Sequence, residues 1–285
     1  MTKTLISFGH GYCAAALAQR LLPQGWAIFG TTRSPDKAKA IRATGVVPLV
    51  LGADDGQIAR TLANATHMLV SAGPDAQGDP TLRQFGPQIG AVSHLEWAGY
   101  LSTTGVYGDH QGGWVDENTA LTPSTQRGKW RVAAEREWQS LDLPLHIFRL
   151  AGIYGPGRGP FAKVCNGTAR RIIKENQLFS RIHVADIAQT LHASLRRPNP
   201  GAIYNLCDNE AAPPEDVIAY AAELLDFPVP PEIPIEKADM TPMARSFYAE
   251  SKRVRNDRIK NELDVVLQFP DYRTGLRALL DQEKT

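Results

Sequence analysis

The sequence predicts an α/β protein, with a doubly wound parallel sheet, helices on both faces and a small C-terminal lobe. Short apolar runs alternate with segments of helical periodicity along the 285-residue chain, and strands separated by helices form parallel sheets. In the first helical segment Leu17, Ala18 and Leu21 recur at helical spacing, and Pro23 ends the pattern. The predicted strands are 4–8, 27–31, 46–51, 67–71, 97–102 and 145–150, with later returns to the sheet at 181–184 and 202–206.

A glycine-rich turn joins the first predicted strand to the first predicted helix. Residues 8–14 place Gly9, Gly11 and Ala14 in the pattern G-x-G-x-x-A. In a dinucleotide-binding unit the first glycine allows the tight turn, the second lets the backbone approach a pyrophosphate, and the small third residue keeps helix and sheet close. This context predicts a Rossmann-type core, with a plain turn as the alternative. The residues expected to contact the cofactor here are Gly9, Gly11, Tyr12 and Cys13.

The end of the second strand indicates which dinucleotide is bound. Thr32 and Arg33 stand where the adenosine ribose is normally read. A guanidinium pairs with a 2′-phosphate, whereas a carboxylate would accept from a free 2′-hydroxyl. Arg33 therefore favours NADP(H) over NAD(H), and the nearby Asp36 keeps NAD(H) open. After the fourth strand, the small residues that let the backbone pass beside the cofactor are Ser71, Ala72 and Gly73.

Later segments resemble the extended short-chain dehydrogenase/reductase superfamily, the NAD-dependent epimerase/dehydratase family. Residues 102–108 are similar to its S-[ST]-x-x-V-Y-G segment, which implies that Thr103 is the catalytic Ser/Thr. Residues 149–157 resemble the R-x-x-x-[IV]-Y-G-P-G segment that passes the nicotinamide, which implies a cofactor contact at Ile153. Residues 181–188 and 204–206 are similar to the later I-H-V-x-D and Y-N-[LV] motifs, and the tail from 252 to 276 resembles that of sugar-nucleotide epimerases.

The resemblance and the strand pattern together predict the domain organisation. We expect a dinucleotide-binding Rossmann core at 1–155, with later returns to it near 179–208. Residues 156–178 and 209–285 then form a small substrate-side lobe over the strand ends. The Pro-rich run 227–234 is expected to be an extended connection, because proline denies helix and central-strand hydrogen bonds.

The catalytic pair of the family is missing. The register that preserves the glycine after the family's tyrosine, at Gly128, puts Arg127 and Arg131 in place of Tyr-x-x-x-Lys. An arginine is protonated at any working pH, so it cannot replace tyrosine as acid and base. The resemblance implies that Arg131 still holds the nicotinamide ribose and that Arg127 holds an anionic substrate or a cofactor phosphate. The chain is thus similar to the atypical branch of the superfamily.

Other candidates for proton transfer are weaker. Tyr107 and Tyr154 belong to motifs whose tyrosines commonly pack or line the pocket, so we expect structural roles for both. His183 and Asp186 are expected to organise a turn and cap the following helix. The acidic pair at 116–117 is expected to be a solvated loop pair. No metal-ligand cluster, nucleophile elbow or Walker loop is present in the sequence.

Composition excludes several classes of partner. With 31 basic and 30 acidic residues the net charge is +1, which gives no field for nucleic acid or anionic membrane. The three cysteines, Cys13, Cys165 and Cys207, are far apart and support neither disulfides nor zinc. No apolar stretch reaches the roughly 18 residues of a membrane span, and no signal peptide is recognisable. We expect a cytoplasmic protein.

Two functions from different classes follow. The first is an NADP(H)-dependent oxidoreductase or epimerase-like enzyme acting on a polar small molecule such as a nucleotide sugar, with Thr103, Arg131 and Arg127 in the catalytic site. The second is a non-catalytic NADP(H)-binding redox sensor or scaffold, and a flavin- or thiol-linked reductase is a weaker third reading. Relatives often dimerise through the catalytic helix and its neighbour, here near 81–92. Glycines and a proline at 86, 87 and 90 predict an interruption there, so monomer and homodimer both stay open.

Overall fold

The computed structural model describes residues 3–283. The strands of this part of the chain are β1 (Thr4–Phe8), β2 (Ala27–Thr32), β3 (Val47–Val50), β4 (His67–Val70), β5 (Trp97–Thr103), β6 (Trp114–Val115), β7 (Leu145–Leu150), β8 (Gly152–Tyr154), β9 (Arg171–Ile173), β10 (Arg181–His183), β11 (Ile203–Leu206), β12 (Glu232–Pro234) and β13 (Arg253–Val254). The helices are α1 (Tyr12–Leu21), α2 (Pro35–Ala43), α3 (Asp55–Leu62), α4 (Pro80–Gly90), α5 (Gln126–Gln139), α6 (Phe161–Cys165), α7 (Val184–Arg196), α8 (Pro214–Leu224), α9 (Pro242–Phe247), α10 (Asp257–Leu263) and α11 (Tyr272–Glu283). Short 3₁₀ turns cover Leu22–Gln24, Thr104–Tyr107 and Ile235–Lys237.

Seven strands form the central sheet, in the order β11-β7-β5-β4-β1-β2-β3. Every pairing in it is parallel. The strand order runs outward in both directions from β1 and β4, which makes their carboxyl ends the topological switch point where such folds bind ligands. The predicted fold class is confirmed, and the six early strand predictions match the observed bounds to within one residue at each end.

Helices cover both faces of the sheet. Alternate side chains of a strand point to opposite faces, and accordingly Leu5 joins one apolar core while Ile6 joins the other. Helix α1 packs Leu17 into the first core, and α4 and α5 pack Phe85 and Trp138 into the second. Each of these five side chains is no more than 3% exposed. A buried apolar core on each face of the sheet therefore supports the strands whose ends carry the loops.

The predicted return of 181–184 to the central sheet is wrong. Strand β10 pairs with β8 in a separate two-stranded sheet. The place beside β7 is occupied by β11, which contains most of the predicted run 202–206. Strand β8 follows β7 after a single residue, Ala151, and pairs with β10 instead of with a strand of the central sheet. The chain therefore leaves the central sheet at this point. The division into core and substrate-side lobe stays a prediction.

The predicted interruption near 81–92 is also wrong, because α4 is continuous. Asp79 caps it by accepting from the amides of Thr81 and Leu82 at 2.8 and 3.2 Å. Pro87 lies near the C-terminal end of the helix, where a missing backbone donor interrupts only the last turn. The reason for doubting a dimer through α4 and α5 is therefore removed, and the oligomeric state stays a prediction.

A third apolar cluster lies in the C-terminal part of the chain. Tyr154 and Phe161 pack there with Val217 of α8 and Leu276 of α11. Within 3–283, no helix is both long and apolar enough to cross a membrane. The same residues contain no group of His, Cys, Asp and Glu side chains that could hold a metal ion.

Candidate functional site

The loop between β1 and α1 is held by the two neighbouring strands. The amide of Gly9 donates to the Thr31 hydroxyl at 2.9 Å, and the Ser71 hydroxyl donates to the Gly9 carbonyl at 2.6 Å. Gly9 has φ +76°, and a Cβ there would lie 2.9 Å from the main-chain nitrogen of Ala72. Both the left-handed conformation and this close approach require glycine.

The N-terminus of α1 is open to an anion. Gly11 is its N-cap, no side chain accepts from the first-turn amides, and the first turn has no acidic residue. A Cβ on Gly11 would contact only the carbonyl oxygen of Gly9, at 3.7 Å. Free amides and the positive end of the helix dipole suit a phosphate group. The residues present therefore fit the diphosphate of a dinucleotide.

Tyr12 and Cys13 begin α1 and differ in exposure. Tyr12 is half-buried, and its hydroxyl donates to the carbonyl of Pro156 at 2.9 Å. Cys13 is buried, and burial raises the pKa of its thiol to about 11, against a smaller opposing effect of Arg158. Cys13 is therefore a neutral packing residue at neutral pH, which gives no support to a thiol-linked reductase.

The turn after β2 presents Arg33 to solvent. Thr32 is buried, and its hydroxyl accepts from the amide of Ser34 at 3.2 Å. Ser34 in turn caps α2 by accepting from the amide of Lys37 at 3.3 Å. Arg33 lies between these two fixed residues and is exposed. The turn thus fixes the backbone on both sides of Arg33, the residue predicted to lie near the adenosine ribose.

The loop after β4 and helix α5 meet at Gly73 and Arg131. Ser71 and Ala72 are half-buried and Gly73 is exposed. Arg131 donates from Nη1 to the carbonyl of Leu101 at 2.7 Å. Its Nη2 would lie 3.5 Å from a Cβ placed on Gly73. The structure therefore brings Arg131 beside residues 71–73, the backbone segment that is predicted to pass beside the cofactor.

Thr103 ends β5 beside α5. Its hydroxyl accepts from the amide of Gly105 at 3.1 Å, and the side chain is half-buried. A Cβ on Gly128 would lie 2.9 Å from the carbonyl of Gly105, so α5 packs closely on this turn. Arg127 precedes Gly128 and is exposed, with its guanidinium carbon 5.0 Å from the ring centroid of Phe247. Thr103 and α5 are thus adjacent, while the described contact of the Arg127 side chain is with α9.

Tyr107 is held inside a buried polar network. Its hydroxyl donates to Asn205 at 2.7 Å and accepts from Arg149 at 3.0 Å. Arg149 also forms a two-pronged ion pair with Glu135, at 3.2 and 2.8 Å, and Glu135 accepts from Ser102. Burial raises the pKa of Tyr107 to about 12. The hydroxyl is therefore protonated and fully engaged, as a structural residue would be.

Tyr154 also faces the protein interior. Its hydroxyl donates to the carbonyl of Asp271 at 3.4 Å, and a Cβ on Gly275 would lie 2.1 Å from that hydroxyl. Burial raises the pKa of Tyr154 above its ordinary value. The preceding residue, Ile153, is half-buried and packs against the first apolar core. Its predicted contact with the cofactor stays a prediction.

The cap of α7 is His183 rather than Asp186. Helix α7 begins at Val184, and Nδ1 of His183 accepts from the amide of Ala185 at 3.2 Å. Asp186 is fully buried and accepts from the amides of Gln268 and Phe269 at 2.7 and 3.0 Å. Asp186 thus anchors the C-terminal segment, a role that the expected capping function did not include.

The acidic pair at 116–117 is only partly solvated. Glu117 is half-buried and accepts from the amide of Asn205 at 2.8 Å. Burial raises the pKa of Glu117 above its ordinary value. Asp116 accepts from the amide of Asn118 at 3.0 Å. The pair therefore stabilises its loop and β11.

Sequence reasoning missed three residues of this region. His10 packs over the backbone at Gly30, where a Cβ would lie 2.6 Å from its ring. Burial lowers the pKa of His10 to about 4, so the ring is neutral. Glu135 lies one turn after Arg131, and Arg158 lies within 5.8 Å of the Tyr12 ring centroid. The sequence carried no signal for these three, because Glu135 pairs with Arg149 of β7 and the contacts of His10 and Arg158 likewise depend on the tertiary fold.

Several solved structures share this fold. The chain is 59% identical to a conserved protein of unknown function from Silicibacter pomeroyi, with all of both chains covered and a TM-score of 0.95. A dTDP-glucose 4,6-dehydratase from Bacillus anthracis in complex with NAD is 16% identical over 100% of this chain and 97% of the other, with a TM-score of 0.80. A UDP-glucose 4-epimerase from Thermotoga maritima with UDP-glucose is 12% identical over all of both chains, with a TM-score of 0.76.

No family model and no curated protein matches the chain. The chain has the same fold as this dehydratase and this epimerase. At the identity and coverage just given, the chain belongs to the same family as the Silicibacter pomeroyi protein.

Proposed function

We propose that the protein binds NADP(H), in preference to NAD(H), and acts as an oxidoreductase or epimerase-like enzyme on a polar small molecule such as a nucleotide sugar. The observation that carries this proposal is the open N-terminus of α1, where Gly11 leaves the first-turn amides uncapped beside the anchored Gly9 loop. That arrangement suits a diphosphate. Two of the proteins with this fold contain NAD or a nucleotide sugar, which supports the same class of ligand.

The remaining cofactor contacts follow from the positions of the side chains. Arg33 would pair with the 2′-phosphate, because it is an exposed cation on a fixed turn. Residues 71–73 would pass beside the diphosphate and ribose. Arg131 would donate to the nicotinamide ribose, because its guanidinium lies beside Gly73.

The chemistry proposed for the chain rests on Thr103. A bound nicotinamide supplies or accepts a hydride. The Thr103 hydroxyl accepts from Gly105, so its own proton is free to be donated to a substrate oxygen. Arg127 would hold an anionic group of the substrate, and proton exchange would then involve solvent, because arginine does not release its proton.

A second candidate function is a non-catalytic NADP(H)-binding sensor or scaffold. It is favoured by one observation: the hydroxyls of Tyr107 and Tyr154 are both bonded inside the protein, and burial raises both pKa values. Neither tyrosine therefore replaces the missing one. Both functions share the cofactor site and differ in turnover.

Titration with NADPH and NADH, followed by cofactor fluorescence, tests the binding site. Arg33→Ala is expected to weaken NADPH by about tenfold or more and to leave NADH unchanged, because only NADPH carries the 2′-phosphate. Hydride transfer to UDP-glucose derivatives and simple carbonyl compounds then separates enzyme from sensor. Turnover that is unchanged in Thr103→Val, with Thr104→Val as the neighbouring control, would remove the proposed role of Thr103.

A further inference from the structure

The loop that follows β8 lies directly against the first turn of α1. Tyr12, the first residue of the helix, donates its hydroxyl hydrogen bond to Pro156 across 144 positions of sequence. A Cβ on Gly155 would lie 2.5 Å from that hydroxyl oxygen and 2.7 Å from a methyl group of Val184. Gly155 has φ +152°, which side chains rarely adopt. The loop is therefore locked to the nucleotide loop and to α7.

A tight turn presents Arg158 at this place. Gly155 and Arg158 exchange two backbone hydrogen bonds of 2.9 Å. Between them stand Pro156 and Gly157, and Gly157 has φ +67°. Proline followed by a glycine of positive φ is the pattern of a type II turn. The backbone that carries the Arg158 side chain is thus fixed.

The Arg158 guanidinium is a cation at the open end of α1. Its central carbon lies 5.8 Å from the ring centroid of Tyr12. Its positive charge acts against the burial that raises the pKa values of Tyr12 and Cys13, the first two helical residues. Arg158 is exposed, and none of the ion pairs found within residues 3–283 includes it.

A buried donor beside the same turn also lacks an acceptor. His183 is 3% exposed, and its Nδ1 accepts from Ala185, which places the ring proton on Nε2. Nε2 has no hydrogen-bond partner among the described residues, and it would lie 3.4 Å from a Cβ on Gly155. Buried polar groups are nearly always satisfied. A ligand oxygen held at this turn would satisfy it.

We propose that Arg158 binds the dinucleotide diphosphate from the side opposite the α1 amides, and that the Tyr12 hydroxyl positions the turn for this contact. This rests on the proposed function. A charge-assisted hydrogen bond from a guanidinium to phosphate is among the strong ones. The site then holds the diphosphate between helix amides on one side and a tethered cation on the other.

Titration of the full chain with NADPH at two salt concentrations tests this. Arg158→Ala should raise the Kd for NADPH about tenfold or more and reduce its salt dependence. Arg158→Lys should recover part of the loss, and Tyr12→Phe should raise Kd about threefold. Arg196→Ala, the same charge change at the far end of α7, should change neither quantity. Thermal midpoints without ligand should match the wild type in the Arg158 and Arg196 variants, and Tyr12→Phe should lower the midpoint by only a few degrees because it removes one hydrogen bond.

A second probe separates the possible outcomes. Adenosine 2′-monophosphate carries no diphosphate, so its competition with NADPH should weaken in Arg33→Ala and stay unchanged in Arg158→Ala. If Arg158→Ala binds NADPH like the wild type while Arg33→Ala does not, the role of Arg158 is overturned and the proposed function stands. If the wild-type protein binds neither NADPH nor NADH, both proposals are overturned.

Discussion

Arg131 is tied to strand β5 through a 2.7 Å hydrogen bond to the main-chain carbonyl of Leu101. The same nitrogen donates to the Tyr100 hydroxyl at 3.2 Å. The position where the family resemblance predicts a lysine thus holds a fixed guanidinium beside Gly73. A cation held in this way loses little freedom when it binds a ligand oxygen.

Removing this guanidinium is expected to weaken cofactor binding. Arg131→Ala should raise the Kd for NADPH by about tenfold, because a charge-assisted donor to the nicotinamide ribose is lost. Arg131→Lys should recover part of that affinity. Arg136→Ala, an exposed arginine on the same helix, is the control. An Arg131→Ala protein with wild-type affinity and a lowered thermal midpoint would show that Arg131 only braces β5.

The buried pair Glu135 and Arg149 is expected to dominate stability in this region. Their side chains are 1% and 3% exposed. Glu135→Ala should lower the free energy of unfolding by about 3–5 kcal/mol, because it leaves a buried, unpaired guanidinium. Glu137→Ala, an exposed residue two positions along, should change it by less than about 0.5 kcal/mol. Urea unfolding measures both, and equal effects would contradict the assigned role.

The fold could be predicted largely because its signals are local. Apolar runs marked the strands, and Gly9 and Gly11 marked the turn that their conformations require. The network that engages Tyr107 could not be predicted, because it joins residues from β5, α5, β7 and β11. The contact of Tyr12 with Pro156 is likewise a product of tertiary packing.

In the candidate site too, local sequence patterns could be predicted and tertiary contacts could not. The patterns predicted cofactor contacts in the loops at 9–13, 32–33 and 71–73, and the structure places these loops at carboxyl ends of neighbouring strands. Their contact with a cofactor stays a prediction. The patterns did not predict that Arg158 lies near Tyr12, because that contact depends on how the turn at 155–158 packs against α1. They also misplaced 181–184, since a short apolar run does not reveal which strand it pairs with.

Gly9→Ala is expected to destabilise the protein more than Gly25→Ala. Both glycines have positive φ, +76° and +79°, so both alanines carry about 1–2 kcal/mol of left-handed strain. At Gly25 nothing lies within 4 Å of a new Cβ, whereas at Gly9 the Ala72 backbone lies 2.9 Å away. The excess loss for Gly9→Ala should be at least about 1 kcal/mol by urea unfolding. Equal losses would show that the loop yields freely.

The free energy of unfolding is expected to decrease as the pH is lowered, in part because of His67. Its side chain is 2% exposed, and burial, with a smaller effect of Lys3, lowers its pKa to about 4. Glu96 lies 3.9 Å away and opposes this, but its side chain is 59% exposed and screened by solvent, so burial prevails. Because the folded pKa lies below the unfolded value of about 6.5, the stabilisation is complete above that pH and is lost as the pH falls toward 4.

Unfolding in urea between pH 7 and pH 4.5 measures this effect. His67→Gln should reduce the slope by up to about 1.4 kcal/mol per pH unit, because one proton no longer binds preferentially to the unfolded chain. His94→Gln, at an exposed position, should leave the slope as it is. A wild-type slope in His67→Gln would mean that the charged ring is accommodated in the fold.

The central claim is that a dinucleotide diphosphate binds at the N-terminus of α1. The most direct test is NADPH titration of the wild type, Gly11→Ala and Gly11→Asp. Gly11 is in extended conformation and has room for a Cβ, so both variants should fold, and aspartate is itself a good N-cap. The account predicts tight binding by the wild type and a loss of about tenfold or more for alanine, whose Cβ lies where the backbone approaches the diphosphate. It predicts a loss of more than about 100-fold for aspartate, whose carboxylate takes the anion position. Wild-type affinity in Gly11→Asp would contradict it.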